Sequence, residues 1–167
     1  MTTETHSKNA SDILSRHGFA DVWFNSISRH HSLYATTAFN TGDMIAKFYA
    51  ATTQNYPTYL TVQTGRDTHI ILEPVFLQYI NHSCDPNVFF DTTAMQVICI
   101  KPIHPGDELG FFYPSAEWEM AQPFVCNCGS KNCLQLINGA AHLSEETISR
   151  YRLTDFILQK IKQKNTA

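Results

Sequence analysis

Three closely spaced cysteines constrain the fold of this chain more than any other feature. The segment CNCGSKNC places Cys126, Cys128 and Cys133 in a C-x-C-x4-C arrangement, and Gly129 allows a tight turn between them. Zinc bound by cysteine takes four ligands in a tetrahedron, so three local thiols require a fourth ligand from elsewhere. The alternative is a loop with three reduced surface thiols, which would oxidise readily at this density. The pattern therefore predicts a zinc site that joins this loop to a distant part of the chain.

The chain has five cysteines, so two candidates remain for the fourth ligand. Cys99 lies in the apolar run QVICIKP, where a buried and inert cysteine is the ordinary expectation. Cys84 lies in the polar segment NHSCDPN, residues 81–87. This context favours Cys84 as the fourth ligand.

Length and composition favour one soluble domain. With 167 residues and a hydrophobic fraction of 43%, the chain can bury a core of its own. A formal charge of only −3 and the absence of a basic stripe argue against nucleic-acid binding. No apolar run is long enough to span a membrane, and the N-terminal sequence does not resemble an export signal. We expect an intracellular protein, cytoplasmic or, in a eukaryote, nuclear, that is a monomer or a weak dimer and binds neither membrane nor nucleic acid.

The order of apolar runs predicts a mainly β fold (β+α) with a helical C-terminus. Short β-branched and aromatic runs, separated by Gly, Asn, Asp and Pro, predict strands. These runs are DVWFNSIS (21–28), SLYATTAF (32–39), DMIAKFYA (43–50), YLTVQT (59–64), THIILEP (68–74), the hairpin NVFFDTT and AMQVICI (87–100), and DELGFFY (107–113). Helical periodicity is clear only near the end, with Ser144 as N-cap and either one helix or two separated near Thr154. Residues 1–18 are polar and predict a flexible arm.

Three motifs in order carry a resemblance to a known family. NHSCDPN is followed by PGDELGFFY (105–113) and then by CNCGSKNC. Together they resemble the SET-domain protein lysine methyltransferases that carry a post-SET zinc segment, from about Phe19 to Gly139. The resemblance implies small curved β-sheets with a pseudoknot, in which residues 81–87 thread together with the strand that ends at Tyr113. It divides the chain into the arm at 1–18, a SET domain at 19–121, a post-SET zinc segment at 122–139 and a C-terminal helical extension at 140–167.

The resemblance also implies a chemistry. The methyl donor would be S-adenosylmethionine, and the acceptor a lysine of a protein or peptide that enters a narrow channel. Tyr113 matches the family's catalytic tyrosine, and zinc would bind Cys84, Cys126, Cys128 and Cys133. Phe111 and Trp118 would line the substrate channel, and a phenylalanine at position 111 favours di- or trimethylation. The residues expected to bind the donor are Ser32, Leu33, Tyr34, Tyr79, Asn81, His82, Tyr113 and Leu136.

Several of these residues also have simpler explanations. Tyr113 and Phe111 could be ordinary core residues, and Trp118 could equally serve in packing. His82 beside Cys84 could suggest a protease-like nucleophilic pair, but a thiolate bound to zinc is no free nucleophile.

Four departures from the family pattern keep two other functions open. His30 and Ser32 stand where the family has glycines, Gln78 replaces an arginine, Phe112 an aspartate and Gln135 a glycine. These changes are compatible with a SET fold that has lost methyl transfer and acts as a binding module. They are also compatible with an enzyme that methylates a small molecule in a biosynthetic pathway.

Overall fold

The computed structural model describes residues 11–167, which form thirteen short strands and two α-helices. The strands are β1 (Ser11–Arg16), β2 (Ala20–Asn25), β3 (His30–Ala35), β4 (Met44–Lys47), β5 (Tyr49–Gln54), β6 (Thr61–Gly65), β7 (Thr68–Glu73), β8 (Asn81–His82), β9 (Val88–Asp91), β10 (Gln96–Cys99), β11 (Gly110–Phe111), β12 (Phe124–Val125) and β13 (Leu136–Ile137). The helices are α1 (Glu145–Ile148) and α2 (Asp155–Thr166), and short 3-10 helices cover Val75–Tyr79, Tyr113–Ser115 and Ala140–His142. The predicted mainly β fold with a helical C-terminus is confirmed.

The first sheet begins earlier than the sequence pattern predicts. Strands β1, β2 and β3 form an antiparallel sheet in that order. Residues 1–10 of the predicted flexible arm at 1–18 lie outside the described residues. For the rest of the arm the expectation is wrong, because Ser11–Arg16 forms β1. Arg16 donates a hydrogen bond to the carboxylate of Asp21 on β2 at 3.0 Å, so this polar strand is fixed by backbone pairing and one ion pair rather than by apolar burial.

Two further three-stranded antiparallel sheets contribute to the main core. Strand order is β4–β10–β9 in one sheet and β5–β7–β6 in the other. The predicted hairpin of β9 and β10 is confirmed, and Asp91 Oδ1 accepts the backbone N–H groups of Thr93 and Ala94 in its turn. Residues of all three sheets contribute to one apolar core, in which Leu33, Phe48, Phe90, Val97 and Leu109 are completely buried.

Strands β8 and β11 bring the two central motifs together. They pair in parallel, with Gly110 opposite Asn81 and Phe111 opposite His82. A Cβ atom on Gly110 would lie 3.0 Å from the Cβ of Ser83, so the close approach of these segments leaves little room for a side chain there. The sequence-based expectation that residues 81–87 lie against the strand ending at Tyr113 is therefore confirmed.

The C-terminal segment contains two capped helices. Ser144 accepts the backbone N–H of Thr147 and begins α1, and Thr154 accepts that of Ile157 and begins α2. The helical region thus breaks at Thr154, one of the two arrangements that the sequence left open. Leu153 and Ile157 are buried where this segment packs beside Trp118. None of the helices within residues 11–167 is long and apolar enough to cross a membrane.

Candidate active site and metal centre

Four cysteines from two distant parts of the chain converge on one point. The Sγ atoms of Cys84, Cys126, Cys128 and Cys133 all lie within 4.8 Å of one another. Zn–S bonds of about 2.3 Å in a tetrahedron would place sulfur atoms about 3.8 Å apart, so a small contraction suffices for zinc to fit. Backbone N–H groups of Leu134 and Gln135 point at the sulfurs of Cys84 and Cys133, at 3.5 and 3.4 Å. Cys99 is buried in β10, as expected of a structural cysteine.

The imidazole of His82 links this cluster to Tyr113. Its Nδ1 accepts the backbone N–H of Tyr113 at 3.2 Å, which leaves the proton on Nε2, 3.3 Å from the Cys84 sulfur. Burial lowers the pKa of His82 to about 4 and raises that of Cys84 well above its usual range. Both shifts disfavour a thiolate–imidazolium pair of the kind that cysteine proteases use. His82 instead supports a metal ligand, as residues behind a zinc site commonly do.

Tyr113 follows β11 and is surrounded by aromatic rings. Its ring centroid lies 4.6 Å from that of Phe111, 5.2 Å from His82 and 6.0 Å from Phe124. The hydroxyl donates to the backbone oxygen of Ile80 at 3.4 Å. Burial raises the pKa of Tyr113 to about 12, so the phenol is neutral and a hydrogen-bond donor at physiological pH.

A cavity of about 260 Å³ opens beside Tyr113. Phe90 and Phe111 are packed ring to ring at 4.5 Å and line it with Tyr113. Aromatic faces attract a cation or a polarised methyl group, so the cavity suits the end of an amine-bearing chain. Gln78, which replaces the family's arginine, also lines this cavity.

The amide of Asn81 organises the polar side of the site. Its Nδ2 donates to the backbone oxygen of His31, to Ser32 Oγ and to Glu108 Oε1, at 2.8, 3.1 and 3.2 Å. The backbone around His30 and Ser32 is an extended strand paired continuously with β2, and neither residue has a positive φ. The backbone conformation at these two positions therefore does not require glycine.

This donor set fits S-adenosylmethionine. The Glu108 carboxylate and the Asn81 amide, which are hydrogen-bonded to each other at 3.2 Å, suit the charged methionine end of such a molecule. The residues present are thus chemically compatible with the donor.

The other residues predicted to bind the donor or the substrate differ in their contacts and burial. Tyr79 stacks on His31 at 4.7 Å, and the hydroxyl of Tyr34 interacts with Glu108. Leu33 is fully buried, so it can offer only backbone atoms to a ligand, and Leu136 is exposed on β13. Trp118 does not line the cavity beside Tyr113; it packs with the C-terminal segment, and Lys160 lies 5.0 Å above its ring.

Two of the family departures have clear structural consequences. Gln135 has a φ of +63°, the left-handed conformation that glycine adopts most easily. Phe112 is buried and stacks on Tyr151, with centroids 3.7 Å apart and planes at 7°. The Tyr151 hydroxyl in turn donates to the backbone oxygen of Cys84 at 2.8 Å. A residue of the C-terminal extension thereby touches the metal centre.

Sequence reasoning missed Glu117, a buried carboxylate that lines the cavity beside Tyr113. Its segment AEWEM is polar enough to suggest a solvent-exposed position. The available signal was its place four residues after the predicted catalytic tyrosine.

Comparison with known proteins finds a protein family, curated relatives and a solved structure that resemble this chain. Residues 30–114 match the SET domain family. Methyltransferase flvH of Aspergillus flavus is 41% identical over 128 residues, which cover 75% of this chain and 71% of that protein. A histone-lysine N-methyltransferase, H3 lysine-36 specific, of Chaetomium globosum is 32% identical over 76 residues, 42% of this chain and 8% of that protein. A solved structure of ctPRC2, described as autoinhibited and bound to S-adenosylmethionine, has 17% identity and a TM-score of 0.38, covering 65% of this chain and 18% of that one.

Proposed function

This chain belongs to the SET domain family, and we propose that it is an S-adenosylmethionine-dependent methyltransferase that acts on the side-chain amine of lysine. The observation that carries the proposal is the position of Tyr113 between two environments. Its backbone N–H is held by His82 next to Asn81, and its ring lines the aromatic cavity with Phe111. A donor on the polar side and an amine in the cavity would meet at the Tyr113 hydroxyl.

When bound, S-adenosylmethionine supplies a methyl group on a positively charged sulfur. The chain's own residues would then provide position and surroundings, which carry most of such a displacement. The neutral phenol of Tyr113 can orient the acceptor nitrogen and stabilise the transition state, but it is not a base at neutral pH. Phe90 and Phe111 exclude water from the amine and have no hydroxyl to hold one, which favours addition of two or three methyl groups.

The four-cysteine cluster would bind a structural zinc ion. All four positions would be occupied by thiolates, which leaves no open position for substrate. Its proposed task is to hold residues 126–133 against the segment that carries Asn81 and His82.

The finer choice of substrate is between a lysine in a protein and a small amine. The relatives named as histone-lysine methyltransferases support a protein lysine. The match to them covers only 8% of their length, however, whereas it covers 71% of flvH, so substrate recognition by the rest of those enzymes has no counterpart in the match. This difference favours a small amine as the second candidate.

A methyl-transfer assay with two acceptors tests the proposal. An unstructured peptide with one lysine and free L-lysine are each incubated with S-adenosylmethionine, and products are identified by mass spectrometry. We expect transfer of two or three methyl groups to at least one acceptor, and the preferred acceptor distinguishes the two substrate classes. Absence of transfer to both would favour the non-catalytic binding module.

The variant Tyr113→Phe connects this activity to the proposed centre. Loss of the hydroxyl is expected to lower kcat by about 10²-fold or more, while zinc content and Tm stay unchanged. Tyr49→Phe is the matched control, because Tyr49 is exposed on β5 and does not line the cavity. Full turnover by Tyr113→Phe would mean that the active centre lies elsewhere.

A further inference from the structure

Glu117 is a buried residue whose backbone and carboxylate are both held by hydrogen bonds. Its backbone N–H donates to the oxygen of Tyr113 at 3.0 Å, and its backbone oxygen accepts the N–H of Ala140 at 2.8 Å. The carboxylate oxygen Oε1 accepts the backbone N–H of Gln63 at 2.9 Å. Gln63 is held in turn, since its Oε1 accepts the N–H of Trp118 at 2.9 Å. The side chain is only 7% exposed and faces the cavity that Tyr113 and Phe111 also line.

This carboxylate has no cation to balance its charge. Within residues 11–167, no Lys, Arg or His side chain forms an ion pair with Glu117, and the hydrogen bond from Gln63 is the only one its carboxylate makes. A buried and unpaired carboxylate is unfavourable unless a partner arrives. Burial raises the pKa of Glu117 to about 7, although the hydrogen bond from Gln63 lowers it. The group therefore changes charge near neutral pH.

The neighbouring titratable groups do not compete for this role. Tyr113 faces the same cavity, and its pKa is raised to about 12. His69 lies opposite Gln63 on β7, where burial lowers its pKa, so the imidazole is neutral at physiological pH. Among the described residues that line the cavity, Glu117 is the only one with a carboxylate, and none has an imidazole; these are the groups that suit proton transfer from an amine.

We propose that Glu117 is the catalytic base that takes a proton from the substrate ammonium, a role that rests on the proposed methyl transfer. One ammonium N–H bond breaks, its proton forms an O–H bond with the carboxylate, and the electron pair stays on nitrogen. That pair then forms the N–C bond, while the pair of the breaking C–S bond remains on sulfur. The proton on Glu117 leaves to solvent before the next cycle. The ammonium and the sulfonium are thereby converted into a methylammonium, a thioether and one released proton.

Such a base would overcome the low abundance of the neutral amine, the form of lysine that can accept a methyl group. With a pKa of about 10.4, only roughly 1 in 2,500 lysine side chains is a neutral amine at pH 7. In an apolar cavity, the neutral amine and carboxylic acid are favoured over the ion pair relative to water. Glu117 would therefore admit the abundant ammonium form and neutralise it next to Tyr113.

The test is the pH dependence of kcat/KM for wild type and Glu117→Gln. The glutamine keeps an oxygen that can accept the Gln63 N–H. In wild type, kcat/KM should rise to about pH 7 and then stay level up to about pH 10, because carboxylate and ammonium are the reacting forms. In Glu117→Gln, it should rise about tenfold per pH unit up to about pH 10, because only neutral amine reacts. Above pH 7, the ratio of wild-type kcat/KM to that of Glu117→Gln should therefore fall about tenfold for each pH unit.

Glu119→Gln is the matched control. Glu119 is two residues away and exposed, and its carboxylate pairs with His142 at 2.8 Å outside the cavity. Its profile should match wild type. Parallel profiles of wild type and Glu117→Gln would overturn the proposal while leaving the methyl transfer itself intact. Absence of transfer by wild type would overturn the proposed function, and the catalytic role with it.

A binding measurement tests the same idea without turnover or a variant. The probe is n-butylamine, which carries the amine end of a lysine side chain, added to protein saturated with S-adenosylhomocysteine. Calorimetry in buffers of different ionisation enthalpy gives the protons released. Wild type should release about one proton per site at pH 6, where Glu117 is protonated, and almost none at pH 8. Equal release at both pH values would overturn the role of Glu117 even if Glu117→Gln fails to fold.

Discussion

The substitution Gln135→Gly should strengthen zinc binding, because the backbone at this position is suited to glycine. Gln135 lies between Cys133 and β13, its side chain is exposed, and its φ is +63°. A left-handed conformation costs an L-residue about 1–2 kcal/mol. Glycine avoids this cost but loses about 0.5–1 kcal/mol more conformational freedom when the loop becomes ordered. The net gain is about 0.5–1 kcal/mol.

This gain should be visible in the zinc affinity, because metal binding and ordering of a cysteine loop are coupled. A difference of about 0.5–1 kcal/mol corresponds to roughly two- to fivefold tighter binding. Competition with a chromophoric zinc chelator at constant pH measures this ratio. Gln135→Ala distinguishes the effect of the backbone conformation from that of losing the glutamine side chain. Because alanine also disfavours a positive φ, this variant should bind zinc as wild type does.

A second control comes from the turn between β2 and β3. Arg29 is exposed and has a φ of +59°, but it is not part of the cysteine loop. Arg29→Gly should therefore raise the free energy of unfolding by a similar amount, which a higher Tm would show, without changing zinc affinity. Zinc binding by Gln135→Gly that is no tighter than by Gln135→Ala would refute the link between this backbone position and the metal site.

Two further predictions concern the metal and the buried carboxylate. Removal of zinc by chelation should abolish hydrogen-exchange protection at residues 126–133 and weaken binding of S-adenosylhomocysteine, measured by calorimetry; unchanged affinity in metal-free protein would contradict the coupling of the two sites. Glu117→Gln should raise Tm at pH 8 but not at pH 4. The folded-state pKa of about 7 lies above the usual value near 4.5, so the wild type loses stability, on the order of 3 kcal/mol, as pH rises through this interval. If the difference in stability between wild type and Glu117→Gln did not depend on pH, the raised pKa of Glu117 in the folded protein would be refuted.

The sequence was most informative where pattern and chemistry agreed. Runs of β-branched and aromatic residues between turn residues indicated most of the strands, although the run at 43–50 forms two strands, β4 and the start of β5. Zinc stoichiometry with local context chose Cys84 over Cys99, and the sulfur cluster confirms this choice. Ser144 was correctly predicted as the N-cap of a helix, whereas the sequence left open whether a second helix begins near Thr154, as it does in the structure.

Features created by tertiary contacts could not be found in this way. Ser11–Arg16 has no apolar periodicity, and only its pairing with β2 makes it a strand. Glu117 is buried by β6 and the C-terminal segment, neither of which is adjacent in sequence. At Gln135 the missing family glycine was visible in the sequence, but the left-handed conformation of the backbone there, with a φ of +63°, was not.

The stack of Phe112 on Tyr151 limits how far this protein can be shortened from its C-terminus. A fragment that stops at residue 139 would retain all four cysteines and every residue proposed for methyl transfer. It would also uncover the face of Phe112, lose a stacking contact of about 0.5–1.5 kcal/mol and remove the hydroxyl that binds the Cys84 carbonyl. The smallest autonomous piece that keeps the metal ligand in place therefore extends into the C-terminal helices, beyond the limits that the sequence motifs would suggest for a working fragment.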